Sequence, residues 1–265
     1  MESRLLDMRD CASEPFRATY AEMLRLSLSQ QPRWFRPLLL KSARLRSLTG
    51  YDHWSRAWEY PWAIQAADLG GRSLRALDVG GGGSPFAPYL AAQGHDSFVV
   101  DPSLDEGARL VLDPQKSLYR NARSLAKRAI FRVAGIRTLW GLPGGGARAV
   151  RYAPDPADHL RFPDAHFDRV FCLSVIEHIP ADLWGGCMRE FGRVLKPGGR
   201  LIITLDMTTE QANERIYLRL TGSCPLRLLG NPRYDTPLRP DDQERRHPGQ
   251  GYETLGLVWL KPALA

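Results

Sequence analysis

Asp78-Val79-Gly80-Gly81-Gly82-Gly83-Ser84-Pro85 places an acid and four consecutive glycines between an apolar stretch and the start of a helical one. With no Cβ in the way, the backbone N–H groups of such a turn approach a bound cofactor closely. Asp101 stands 23 positions on, at the carboxyl end of the next apolar stretch. There a carboxylate accepts hydrogen bonds from ribose hydroxyls. The pair points to an adenosine-type cofactor without saying which one. The third glycine of a dinucleotide fingerprint, counted from Gly80 and Gly82, falls on Pro85, so the group held here need not be a pyrophosphate. Two histidines lie where a base would be useful: His178, next to Glu177 just after a buried stretch, and His53, inside the aromatic run Tyr51 to Trp62. An imidazole, with its ordinary pKa near about 6.5, suits general-base work on a hydroxyl.

These residues need elements to position them. Leu74–Val79 reads as a buried strand stopped by the glycines, Ser97–Asp101 as a second, Ala147–Tyr152 as a third, Phe167–Leu173 as a fourth and Arg200–Leu205 as a fifth. A helix is predicted over Asp182–Leu195. Strands separated by helical segments give βαβ units with right-handed crossovers and a mostly parallel sheet, the α/β class. Residues 1–70 show no strand-like alternation; Phe16, Tyr20, Met23 and Leu24, then Trp58, Trp62 and Ile64, recur at helical spacing around a break at Gln31–Pro37. This part reads as a helical N-terminal cap, and 71–265 as the cofactor-binding domain. Between Asp101 and the third strand the chain far exceeds the ~10–12 residues a crossover requires. Within that 102–147 insertion, Leu118, Ala122, Leu125, Ala129 and Val133 form one helical stripe, with Lys116, Arg120, Arg123, Lys127, Arg128 and Arg132 largely elsewhere. The basic face is either plainly solvated or a surface for an anionic substrate or lipid headgroups. Residues 223–250, with five prolines, read as a long loop or lid.

Composition narrows the class. The chain has 265 residues, 43% apolar and 25% charged, so it can bury a full core without staples. No run approaches the ~18 apolar residues of a membrane span, and the first residues lack an apolar signal region, so a chain that stays in the cytoplasm is expected. Cys11, Cys172, Cys187 and Cys224 form no C-x-x-C pair, so neither a zinc site nor a disulfide framework is indicated, and no metal is expected. Thirty-six basic residues against 29 acidic give +7, but 31 of the basic residues are Arg and many fall in the insertion.

The stretch His159-Leu160-Arg161-Phe162-Pro163-Asp164 through Phe167–Leu173 to Glu177-His178, followed by Arg193-Val194-Leu195-Lys196-Pro197-Gly198-Gly199, resembles the class I S-adenosylmethionine-dependent methyltransferases. The likeness is to the branch that carries an E-H pair after the fourth strand and methylates small molecules. It spans roughly Leu74 to Leu205. The resemblance implies a doubly wound, mostly parallel, seven-stranded Rossmann-like sheet that ends in an antiparallel β-hairpin, with Tyr252–Leu260 as its last strand. It implies S-adenosyl-L-methionine as cofactor, with Asp78, Gly80 and Gly82 beneath its methionine part, Asp101 on the ribose and Pro102 beside the adenine. Family members meet the adenine amino group with an acid or amide four residues before the leucine of L-P-F. Here that position is Pro156 and the proline of L-P-F is Arg161, so the flanking Asp155 is the candidate. Leu173, Ser174 and Val175 would line the cofactor. Ser55-Arg56-Ala57-Trp58-Glu59-Tyr60-Pro61-Trp62 looks like the cap segment of bacterial methyltransferases of this type. In it Arg56 would meet the cofactor carboxylate and the Tyr60 ring would cover the sulfonium, while Trp58 and Trp62 pack the core.

Methyl transfer of this kind is an in-line displacement that relies on alignment. The expected acceptor is a hydroxyl, or an amine, of a small molecule or saccharide, with His178 or His53 as base and Glu177 beside it. Two alternatives stand. A nucleic-acid methyltransferase draws on the +7 charge but lacks an RNA-binding module and the N/D-P-P-Y/F signature. A non-catalytic S-adenosylmethionine binder draws on the eroded adenine motif. Peripheral membrane contact would run through 116–132. The acceptor pocket is expected from the cap, the insertion and residues 206–250, where the likeness fades.

Overall fold

The computed structural model describes residues 1–49, 56–106, 133–135, 150–208, 218–222, 226–230 and 252–263. Eight strands form one sheet among them: β1 (Arg4–Leu5), β2 (Arg75–Val79), β3 (Asp96–Val100), β4 (Val150–Ala153), β5 (Phe167–Leu173), β6 (Leu195–Thr208), β7 (Arg227–Leu228) and β8 (Tyr252–Leu260). From one edge the order is β4-β3-β2-β5-β6-β8, and β1 and β7 share the outer edge of β8. Strands β2 to β6 pair in parallel, and β8 runs antiparallel to β6. The helices are α1 (Glu14–Ser29), α2 (Arg36–Lys41), α3 (Ala43–Thr49), α4 (Arg56–Ala67), α5 (Phe86–Ala92), α6 (Ser103–Glu106), α7 (Trp184–Val194) and α8 (Leu218–Thr221).

Both faces of the sheet are covered because successive strand residues point to opposite sides. Leu77, Val79, Val170, Cys172, Leu201 and Ile203 pack against Trp184, Cys187, Met188 and Phe191 of α7, whose apolar residues recur at helical spacing. Ala76, Phe171, Leu173, Ile202 and Val258 face the other way, onto Met23 of α1, Trp58 and Trp62 of α4 and Phe86 of α5. The doubly wound α/β architecture is therefore as expected, and the helices read as a cap form the layer on this second face. Trp58 and Trp62 are core residues, stacked at 5.2 Å.

The outer edge differs in detail from the expectation. β7 precedes β8 and pairs antiparallel with it, as the expected closing hairpin does, but it is only two residues long, and the first residues of the chain add a second two-residue strand, β1, to the same edge. Ser3 joins the edge as well: its N–H donates to the Leu229 carbonyl at 2.9 Å and its Oγ accepts from the Val258 N–H at 2.9 Å. Two residues are too few to show an alternation, which is why 1–70 read as strand-free. The third strand is described over Val150–Ala153, residues 147–149 of the expected strand lying outside the described residues, and β6 takes in the Lys196–Gly199 turn. The basic residues 116–132, most of 223–250, His53 and Cys224 lie outside the described residues. No helix among the described residues is long and apolar enough to cross a membrane.

Candidate active site

Sheet order reverses between β2 and β5, so the connections leaving their carboxyl ends diverge and leave a crevice. A cleft of about 430 Å³ opens there. Its walls are Arg56 and Tyr60 from α4, the turn after β2, Asp101 to Ser103 after β3, Asp155 to Asp158 after β4, and Leu173 to Val175 with His178 after β5. Of the residues singled out from the sequence, Arg56, Tyr60, Asp78, Gly80, Asp101, Pro102, Asp155, Ser174 and His178 meet on this one cleft. Gly82 belongs to the same turn, with φ +44°, but is not on the wall. Glu177 stands behind His178 rather than on the wall, and His53 is outside the described residues.

The glycine turn is tight for a visible reason. Gly80 has φ +73°, donates its N–H to the Val100 carbonyl at 2.7 Å, and a Cβ there would stand 2.5 Å from the Val175 side chain. A Cβ on Gly81 would collide with the Asp78 carboxylate. Asp78 itself is 3% exposed, and its Oδ2 has no hydrogen-bond partner among the described residues. Burial pushes its pKa up to about 7; Arg56 works against that rise and Asp101 adds to it. A buried, unpaired carboxylate oxygen on a cleft wall is suited to a cationic donor such as an ammonium group.

Asp101 accepts the Ser103 N–H at 2.9 Å through Oδ1. Asp155 is 3% exposed and held by Arg161, whose Nε and Nη2 both lie 2.5 Å from Oδ1 and whose backbone N–H donates to Oδ2 at 3.2 Å. The arginine that replaces the family proline is thus the partner of the acid at the neighbouring motif position. Ser174 has φ +49°, a left-handed conformation rare outside glycine. It is held by N–H bonds to the Thr204 carbonyl (3.1 Å) and Oγ1 (2.9 Å), while its hydroxyl donates to Glu59.

Glu59 was not singled out by sequence, yet it joins several of these groups. Fully buried, it also accepts from Arg56 at 2.5 Å. Burial would raise its pKa, but Arg56 and the hydroxyls of Ser174 and Thr204 hold it below the ordinary carboxylate range. Burial works to lower the Arg56 pKa, and the Glu59 charge more than reverses it. The guanidinium sits 5.4 Å from the Tyr60 ring centre, and its Nε has no partner among the described residues. Burial lifts Tyr60 to about 12. Behind His178, Glu177 accepts the Asp206 N–H at 3.2 Å through Oε1, while Oε2 is unpartnered. Burial pushes Glu177 up to about 8, with Asp206 and Glu59 contributing. Asp206 accepts from Thr254 at 2.5 Å and is pushed up to about 6 by burial and by Glu59. The signal for Glu59 was its place one helical turn after Arg56; for Asp206 and Thr204 there was none, because their roles depend on β6 lying beside β5.

A family model described as a methyltransferase domain matches residues 51–225. Sterol 24-C-methyltransferase of Eremothecium gossypii is 28% identical over 141 residues, which are 50% of this chain and 37% of that protein, so the chain spans well under half of that relative. Among solved structures, 1,6-didemethyltoxoflavin-N1-methyltransferase of Burkholderia thailandensis, with bound 1,6-didemethyltoxoflavin and S-adenosylhomocysteine, is similar with TM-score 0.50 at 19% identity, over 87% of this chain and 90% of that one. Geranyl diphosphate C-methyltransferase of Streptomyces coelicolor A3(2) is similar with TM-score 0.48 at 11% identity, over 83% and 82% of the two chains. At such identities structural likeness speaks for the fold alone. The family match covers more than half of the chain, from just before α4 to just before β7. The unpaired Asp78 oxygen and the glycine turn suit a cationic, adenosine-bearing cofactor. On that match the chain belongs to the methyltransferase-domain family, as an S-adenosylmethionine-dependent methyltransferase with the class I fold.

Proposed function

We propose that this enzyme methylates a hydroxyl, or an amine, of a small organic acceptor, a saccharide being one such class. The observation that carries the reading is a cleft whose wall brings the buried acids Asp78 and Asp155 together with an exposed His178. The small-molecule character of the acceptor is supported by the neighbour solved with bound 1,6-didemethyltoxoflavin. We assign residues 1–70 as the capping part and 71–265 as the cofactor-binding part.

Bound S-adenosylmethionine supplies an electrophilic methyl group on a sulfonium. In our reading, Asp78 accepts from its ammonium group through the unpaired Oδ2, and Gly80 and Gly82 let the backbone come close. Asp101 takes the ribose hydroxyls, Pro102 flanks the adenine, and Asp155 borders it with both oxygens already held by Arg161. Arg56 lies where it can meet the cofactor carboxylate through its free Nε, and Tyr60 offers a ring face to a cation, an attraction of about 0.5–2 kcal/mol. Ser174 closes the floor between Leu173 and Val175. His178 takes the acceptor proton, with Glu177 as its buried neighbour and His53 as the other candidate base.

Transfer from isotopically labelled cofactor to panels of small hydroxyls, amines and RNA oligonucleotides tests the acceptor class; preferential labelling of RNA overturns it. His178→Ala is expected to lower kcat by about 10²-fold or more while leaving cofactor affinity unchanged. A near-wild-type kcat in both His178→Ala and His53→Ala removes the base from the mechanism.

A further inference from the structure

Between α1 and α4 the chain presents a face that the catalytic fold does not use. From residue 23 to residue 51 there is no Asp or Glu, and Arg33, Arg36, Lys41, Arg44 and Arg46 fall within 14 positions of one another. The segment is anchored from beneath. Phe35 and Leu39, four apart, are buried, and Arg36 is tied through Nε to the Gln31 carbonyl at 2.9 Å. Arg46 is tied in turn to the Leu40 carbonyl at 2.5 Å. On the other side Trp34, Leu38 and Leu40 stand out at 57%, 50% and 51% exposure. Arg33, Lys41 and Arg44 are exposed too, with no ion pair to any described residue. The face has a neighbour: Gly135 lies against the Pro32 ring, and Val133, two residues before it, is 91% exposed.

An indole and two leucines held in water at the centre of a cationic patch match the chemistry of a bilayer surface, with apolar groups entering the headgroup boundary and arginines meeting phosphates. Nucleic acid offers phosphates but gives the two leucines nothing to bury against. A second copy of this chain would set cations against cations, with no acid in the segment to relieve them. We infer that residues 33–46 dock this enzyme on an anionic phospholipid membrane, through insertion of Trp34, Leu38 and Leu40 and contact of Arg33, Lys41 and Arg44 with lipid headgroups. Residues 33–46 are distinct in sequence from the basic 116–132 segment, and the inference does not depend on the identity of the methyl acceptor. In sequence it leads through α3 to α4, whose first residue, Arg56, is on the cleft wall.

The test is co-sedimentation of the full chain with phosphatidylcholine vesicles with and without phosphatidylserine, at low and at physiological salt. Binding is expected only to the serine-containing vesicles and should weaken as salt rises. Lys41→Ala and Arg44→Ala should each weaken it about fivefold. Trp34→Ala should weaken it about tenfold or more. All three sites are exposed, so the melting temperature should stay at the parent value, which separates loss of docking from loss of fold. Equal pelleting with neutral vesicles, no pelleting at all, or pelleting that ignores all three substitutions overturns the inference. So does a self-association or an RNA complex that the same substitutions abolish.

Discussion

Asp78 is a carboxyl group whose charge the fold resists. Burial lifts its pKa from an ordinary 3.8 to about 7. Between those values the folded chain binds more protons than the unfolded one, so this residue's contribution to stability falls as pH rises through that window and is level above it. Glu177, lifted to about 8, acts in the same sense and extends the loss upward. Glu59 acts oppositely: its lowered pKa supplies stability present above the ordinary glutamate value and lost as pH falls through the folded one. If the cofactor ammonium binds ionised Asp78, binding releases a proton. Affinity for S-adenosylmethionine should then tighten as pH rises toward about 7 and level off above it. Calorimetry in buffers of differing ionisation heat reads the released proton directly. Asp78→Asn should flatten that pH profile and cost about tenfold or more in affinity, since a hydrogen bond to a charged group is worth about 1.5–3 kcal/mol. An unchanged profile in the variant would place the proton elsewhere.

Helix α4 turns an aromatic-rich stretch into one wall of the site. Its Trp58 and Trp62 hold it to the second face of the sheet, and that contact delivers Arg56 and Tyr60 to the cleft wall, with Glu59 fully buried beside Arg56. Arg56 and Glu59 are one turn apart and pair at 2.5 Å with little solvent around them. Removing one member leaves the other charged and unpaired, so Glu59→Ala should cost about 3–5 kcal/mol, read as a lower urea midpoint. Replacing both together, as Arg56→Met with Glu59→Leu, should cost far less in stability. If the two single variants and the double variant prove additive, the pair is not coupled. Both residues were visible in the sequence, and so was their spacing. The Ser174 and Thr204 partners of Glu59 were not, because they come from the residue after β5 and from β6, more than a hundred residues away.

At the scale of the whole molecule the two ends of the chain complete one sheet. β1 and Ser3 cover the outer edge of β8, and Gly256 on β8 leaves room for the Trp62 ring, which a Cβ would approach to 2.6 Å. An uncovered strand edge invites pairing with another chain. Removal of residues 1–6 should therefore lower the melting temperature and produce concentration-dependent light scattering. Gly256→Ala, an overpacking change, should destabilise by about 1–3 kcal/mol with no new scattering. Equal melting of the truncated and full chains would show that β7 alone suffices at this edge.

By itself the sequence determined the parts governed by local patterning. Buried runs marked β2, β3 and β5, the first two ending at Gly80 and Asp101, the helical spacing of Trp184, Cys187, Met188 and Phe191 marked α7, and the interval from Asp78 to Asp101 marked an adenosine-type cleft. Each of these rests on neighbours within a turn or a strand. What only the tertiary structure decided is which groups meet. The left-handed Ser174 held by Glu59 and Thr204, the half-buried Asp206 beside Glu177, and the β1 and β7 edge all depend on residues brought together by sheet order. The pKa of a buried acid and the register of a two-residue strand are properties of surroundings, and those surroundings exist only once the chain has folded.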